Sequence, residues 1–322
     1  MAAWTKTYDG AEPVRINKWL ALEGVCSRRE ADALIEQGLV EIDGKPVTEL
    51  GERIVPGQTI RLNSKAAQKL DNQLSIVLNK PVGYVSGTPE PGETPAIRLI
   101  TQATLKGEAH AVPGRNNRMA PLGRLDKDSR GLLILSEDGV LAKAVIGPLS
   151  EVDKEYVVKV LGEITPEKLA LLRHGLELDG RRLSPAKVSA EGRDTLRFVL
   201  SEGRNRQIRR MCSLVHLRVA DLQRVRVGPV ELGNLPEGRW RPLSHRERAA
   251  LIAASVGKAA QASSAKKPPA PGPKARKSSA GKSREVASEL APKVAYRTRN
   301  YGLTGEGFRR TRLAPRPRTP IK

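Results

Sequence analysis

Residues Pro121–Gly139 read PLGRLDKDSRGLLILSEDG. A polar turn between Gly123 and Gly131 runs into Leu132–Leu135, an unbroken apolar run of strand length, too short for a buried helix. One acid, Asp126, is thereby set at the entry to a buried strand. The ordinary work of an aspartate there is to cap a turn. The spacing also imitates a calcium loop, because Asp126, Asp128, Gly131 and Glu137 fall at positions 1, 3, 6 and 12 of an EF-hand. The chemistry opposes that reading: position 5 is the cation Arg130 where an oxygen ligand belongs, and the loop leads into a strand where an EF-hand enters a helix. No metal site is expected.

Outward from this stretch, residues 75–254 alternate strands and helices in irregular order. The spacing predicts strands at Ile76–Leu78, Gly131–Leu135, Glu155–Val160, Leu196–Leu200 and Val219–Val227, with helices near Leu141, at Pro166–Arg173 and at Asn205–Leu217. That order indicates α+β architecture with a mostly antiparallel sheet. In DKEYVVKV, Tyr156, Val158 and Val160 share one strand face, so the ring can line an apolar floor with its hydroxyl free; a plain core tyrosine is the alternative. In EGRNRQIRRMCSLVHL, Ile208, Met211, Cys212 and Val215 form one buried stripe, leaving Arg206, Arg209, Arg210 and Ser213 on the other sides. No GxGxxG, GxxxxGK[ST] or GxSxG occurs, which argues against dinucleotide, P-loop and serine-hydrolase chemistry. No cofactor is expected.

A smaller module precedes this domain at residues 14–62, joined by a polar connector at 63–74. Ile16, Trp19 and Leu20 before Gly24 predict a short helix with a glycine stop. Ser27 and Glu30 form a capping box for a second helix with Ala31, Leu34 and Ile35 inside and Gly38 at its end. Val40, Ile42 and Val47 then alternate around Asp43-Gly44, a strong hairpin signal. Arg15, Lys18, Arg28 and Arg29 lie at the N-terminal ends of the two helices, where side-chain charge and unpaired amides can both face a phosphate; plain solvated charge is the alternative.

The chain has 322 residues and a net charge of +21, an imbalance that points to a polyanionic partner. Residues 255–322 hold +14 of it, with 17 Lys and Arg against three acids. Too poor in branched apolar residues to offset its ordering entropy, this tail is expected to be disordered. Tyr296, Tyr301 and Phe308 among Arg297, Arg299, Arg309 and Arg310 would offer stacking faces and phosphate contacts. No apolar run long enough to span a membrane and no signal peptide is present, so a cytoplasmic protein without membrane contact is expected. Cys26 and Cys212 are too few for a disulfide framework or a zinc site, and both are expected reduced and buried.

Two resemblances sharpen this reading. Residues 14–62 match the pattern RxNKxLxxxGxxSRReAdxxIxxGxVxxxGK and resemble the S4 RNA-binding domain, which implies docking on structured RNA. In order along the larger domain come NKPVG (Asn79–Gly83), GRLDKDSRGLL (Gly123–Leu133), KEY (Lys154–Tyr156) and EGRNRQIRRM (Glu202–Met211). Together they resemble the bacterial ribosomal RNA pseudouridine synthases of the RsuA/RluB/RluE/RluF family. The wording KDSRGL and QIRRMC, with the basic tail, looks most like the 23S rRNA synthases of the F type. Ser129 stands where much of the family has Thr and keeps the hydroxyl.

The resemblance implies isomerisation of uridine in ribosomal RNA, of the 23S type, by a cytoplasmic monomer without a cofactor; a 16S or a tRNA substrate stays open. The base must leave its stack, at a cost of a few kcal/mol that phosphate contacts offset. Asp126 matches the catalytic aspartate, acting at the ribose C1′, at uracil C6 or in an elimination to a glycal. Arg209 matches the arginine that pairs with that carboxylate, and Tyr156 the tyrosine that packs on the base. Arg124 resembles the arginine that fills the space left by the flipped base, with Lys80 supporting the pocket and Arg206 contacting RNA. A non-catalytic S4-domain assembly factor is the rival from a different class.

Overall fold

The computed structural model describes residues 4–114 and 117–264. In the N-terminal module, β1 (Trp4–Thr7) precedes two helices, α1 (Ile16–Leu22) and α2 (Arg28–Glu36), followed by β2 (Val40–Ile42), β3 (Lys45–Pro46) and β4 (Thr59–Leu62). The helices bury the residues their spacing predicts: Ile16, Trp19 and Leu20 from α1, Ala31, Leu34 and Ile35 from α2. The capping box of Ser27 and Glu30 is formed. Asp43 and Gly44 both have positive φ, as the two-residue turn between β2 and β3 demands. The sheet runs β1-β4-β2-β3.

The module starts earlier than residue 14. Strand β1 pairs with β4, and Trp4 and Tyr8 stack on Trp19 with ring centroids 5.7 and 5.8 Å away. The 63–74 connector is also more than a linker: Asn63 accepts the Ala66 amide at 3.0 Å and starts a helix, α3 (Ser64–Asp71), whose Ala66 is buried in the module's core. An asparagine cap followed by small and long-chain residues is enough to form that turn of structure once a partner face exists.

The larger domain is built on a sheet ordered β8-β9-β7-β10-β6-β5-β11, from β5 (Ser75–Lys80), β6 (Arg130–Ser136), β7 (Lys154–Leu161), β8 (Lys187–Ala190), β9 (Thr195–Leu200), β10 (Arg218–Val227) and β11 (Trp240–Pro242). Neighbours along that order are antiparallel except β6 and β10, which run parallel through two pairs only, Arg130 with Gln223 and Gly131 with Arg224. The sheet is therefore two antiparallel halves joined at one short seam. Gly131 is required there. Its φ is +105°, and a Cβ would stand 2.3 Å from the Arg224 carbonyl oxygen.

Helices α4 (Gly139–Ile146), α5 (Pro166–His174), α6 (Gln207–Leu214) and α7 (His245–Ser264) cover the sheet. Helix α6 buries Ile208, Met211 and Cys212 with Val158, Val160, Leu196 and Phe198 of the half containing β7. Strand β6 is buried on both faces. Leu132 and Ile134 meet Leu141 and Val145 of α4, while Leu133 and Leu135 meet Ile76, Leu78 and Trp240, which accounts for its continuous apolar run. Helix α7 continues past residue 254 to Ser264, so the helical region reaches into the segment expected to be tail. The expected disorder of the remaining tail, with its Tyr, Phe and Arg positions, lies outside the described residues.

Candidate active site

The turn before β6 is held rigidly from behind. The Ser86 hydroxyl accepts the Leu125 amide at 2.9 Å and donates to the Leu125 carbonyl at 2.6 Å. The Ser129 amide closes the turn on the Asp126 carbonyl at 3.1 Å. Deeper still, the Arg224 guanidinium, 1% exposed, donates to the carbonyls of Leu132 (2.8 Å), Gly123 (2.9 Å) and Arg124 (3.4 Å). A charged side chain spent on three backbone acceptors ties the turn to the seam between the half-sheets. Asp126 projects from this turn, half-buried.

A cavity of about 600 Å³ opens over it. Its walls include Arg124 and Asp126 from the turn, Ile146–Pro148 after α4, Lys154 and Tyr156 from β7, and Arg206 and Arg209 at the start of α6. Tyr156 stands opposite Arg224 on β10, just where the β7–β10 ladder skips a residue, and it packs against cores on both sides of the seam. Such an irregularity re-aims a side chain out of the regular pleat.

The arginines are arranged differently from expectation. Arg209 does not pair with Asp126: its Nη2 donates to the Asp128 carbonyl (2.7 Å) and the Ser129 hydroxyl (3.3 Å), and its Nε lies 3.4 Å from the Asp128 carboxylate. The cation beside Asp126 is Arg206, whose Nη1 is 3.6 Å from the carboxylate. Arg206 grips Asp128 with two hydrogen bonds of 3.0 and 2.8 Å. The cause is local: Arg206, at φ +49°, is the left-handed residue that precedes α6, so its side chain leaves the helix end toward the turn. Hydrogen bonding to Arg206, with the Arg209 charge, holds the Asp128 carboxyl below its usual range.

Two lysines are buried near the turn, and of these Lys154 lines the cavity. Lys80 is fully buried, donates to the Pro81 and Tyr84 carbonyls at 2.7 and 2.8 Å, and has its pKa lowered to about 8 by burial. Lys154 donates to the Val152 carbonyl at 3.0 Å and is likewise lowered to about 8, by burial and then by the Arg224 charge. Sequence reasoning missed Arg224, Lys154 and the anchoring role of Asp128. Arg224 had a signal: it lies two residues from Leu222 on a strand, in phase with an inward position. Arg124 is exposed on the rim, and its guanidinium has no partner among the described residues.

Arg15, Lys18, Arg28 and Arg29 are exposed, and none is in an ion pair among the described residues. Arg15 stands at the N-cap of α1, and Arg28 and Arg29 open α2. No group of His, Cys, Asp and Glu among the described residues is arranged to hold a metal ion, and no helix there is long and apolar enough to cross a membrane.

Comparison with known proteins agrees with both modules. The S4 domain family model matches residues 14–60, and the RNA pseudouridylate synthase model matches residues 74–214. The dual-specificity RNA pseudouridine synthase RluF of Salmonella typhi is 36% identical over 276 residues, spanning 85% of this chain and 88% of the relative. The ribosomal large subunit pseudouridine synthase B of Bacillus subtilis is 34% identical over 239 residues, spanning 72% and 93%. A crystal structure of a pseudouridylate synthase superposes with a TM-score of 0.51 at 25% identity, covering 74% of this chain and 99% of the other. With two family models matched in order and relatives aligned over most of their length, the chain belongs to the RNA pseudouridine synthases that carry an N-terminal S4 domain.

Proposed function

We propose that this RNA pseudouridine synthase acts on ribosomal RNA of the large subunit, with Asp126 as the catalytic residue. The observation that carries the assignment is the setting of Asp126: a carboxylate on a turn fixed by Ser86 and Arg224, open to a cavity large enough for a nucleotide and ringed by cations. The Bacillus subtilis relative named for the ribosomal large subunit supports the substrate class. The reaction breaks the bond from C1′ to N1, turns the uracil and forms a bond from C1′ to C5. C5 loses its proton and N1 gains one, so atoms balance without a cofactor. Arg206, 3.6 Å from the Asp126 carboxylate, with Lys154 and Arg224 lining the same cavity, supplies a positive field around it.

Tyr156 packs on the flipped base, since its ring lines the cavity beside Asp126. Arg209 acts through Asp128, holding the turn. Arg124, free of partners on the rim, takes the place vacated by the base, and the exposed cations of the S4 module hold phosphates away from the pocket. The enzyme works as a monomer in the cytoplasm, where its substrate is made. The test is release of tritium from C5-labelled uridine in a large-subunit rRNA transcript, with small-subunit rRNA and tRNA transcripts beside it. Release from the first alone, abolished by Asp126→Asn, is expected. Full activity of Asp126→Asn overturns the catalytic assignment, and preferential release from another RNA overturns the substrate.

A further inference from the structure

Helix α4 touches both modules. Its C-terminal residues Val145 and Ile146, with Gly147 and Pro148 beyond, line the cavity over Asp126. Its N-terminal end meets the S4 module. There the amides of Val140 and Leu141 donate to Asp138 Oδ1 at 2.8 and 3.0 Å, whereas the Gly139 amide donates at 3.0 Å to Glu30 Oε1 of α2. The other Glu30 oxygen accepts the Ser27 amide at 2.5 Å, closing the capping box of α2. One carboxylate thus caps the N-terminal ends of two helices, one in each module.

The contact is reinforced and tightly fitted. The Gln73 side chain also donates to Glu30 Oε1, and Lys143 Nζ of α4 donates to the Ala21 carbonyl in α1 at 2.9 Å. A Cβ on Gly139 would stand 2.3 Å from Ser27 Cβ and 2.4 Å from its hydroxyl. Gly139 does not have a positive φ, so its backbone accepts alanine and only the neighbouring module forbids it.

We propose that the Glu30–Gly139 contact is a positioning device. It fixes the phosphate-binding face of the S4 module at one angle to the Asp126 pocket, so that only an RNA whose structure spans both surfaces presents its uridine. The selected substrate class is a folded RNA longer than the target hairpin. This rests on the reading that the S4 cations hold RNA, and the test separates the two. Gly139→Ala pries the modules apart while suiting a helix start. Glu30→Gln keeps one amide acceptor, enough for the α2 cap or for Gly139 but not for both.

One arm needs no RNA. Spin labels on Lys65→Cys and Lys187→Cys, both exposed and one in each module, report the distance between modules, and buried Cys26 and Cys212, with thiols pushed up to about 12, stay unlabelled. A single narrow distance that broadens in Gly139→Ala and Glu30→Gln is expected; a broad distribution in the parent overturns the clamp. The second arm compares KM and kcat on a long large-subunit rRNA fragment and on a short hairpin containing the same uridine. KM on the long RNA should rise on the order of tenfold in both variants, with kcat within about twofold and the hairpin unaffected. Unchanged KM despite a broadened distance, or equal loss on both RNAs, overturns the proposal. If the parent releases tritium from no large-subunit RNA, the substrate reading fails, and the distance arm decides the clamp.

Discussion

Replacing Arg224 with methionine should separate holding the fold from holding the catalytic turn. The guanidinium is buried and makes two hydrogen bonds under 3 Å, to Leu132 and Gly123, plus a longer one to Arg124. Hydrogen bonds to charged groups contribute roughly 1.5–3 kcal/mol each, so the short pair contributes roughly 3–6 kcal/mol. Against this stands the burial of a cation with no carboxylate in contact, which costs several kcal/mol. The two nearly cancel, and methionine fills most of the space. Stability in urea should therefore stay within about 2 kcal/mol of the parent. The turn has no such compensation, because Gly123 and Arg124, which lead into Asp126 through Leu125, lose the donor that ties them to the seam. A misplacement of about 1 Å costs on the order of 100-fold in rate. Single-turnover tritium release should fall by that factor with RNA affinity unchanged. A parental rate in a folded Arg224→Met protein would refute the tether, as would loss of rate explained wholly by unfolding.

Two other perturbations follow from the same geometry. Gly131→Ala forces a β-carbon into the Arg224 backbone at a positive φ, and should destabilise by roughly 3 kcal/mol or more in urea titration, combining strain with an opened seam; a loss under about 1 kcal/mol would contradict the described approach of the strands. Lys154 is lowered from 10.5 to about 8, so between those values the unfolded chain holds more protons and stability rises with pH. The burial penalty is thus fully present below pH 8, and the gain in stability from Lys154→Met should be larger at pH 7 than at pH 10, measured by urea midpoints at both.

Most of the architecture was legible because its signals are local. The apolar run after Asp126, the Asp43-Gly44 turn and the stripe on α6 each follow from neighbours a few residues away, and each forms as expected. What escaped depends on distant partners. Strand β1 is short and mostly exposed, and becomes structure only by pairing with β4. Helix α3 needs the module's core behind Ala66. At the site, the order of motifs indicated which residues gather, but not which arginine reaches which acid. That was decided by the left-handed backbone of Arg206, which nothing in its own side chain announces, since αL is costly for arginine and is adopted under tertiary constraint.

The half-sheet that carries Asp126 is closed by β11 pairing on β5, with Asn79 also donating to the Leu235 carbonyl 156 residues further along the chain. Its contact order is therefore high, whereas the S4 module is complete once α3 has packed on it. On the ribosome the two would mature in sequence. The RNA-binding half can fold and engage RNA while the pocket still waits for its last strand, so a nascent chain would be able to hold a transcript well before it could modify one.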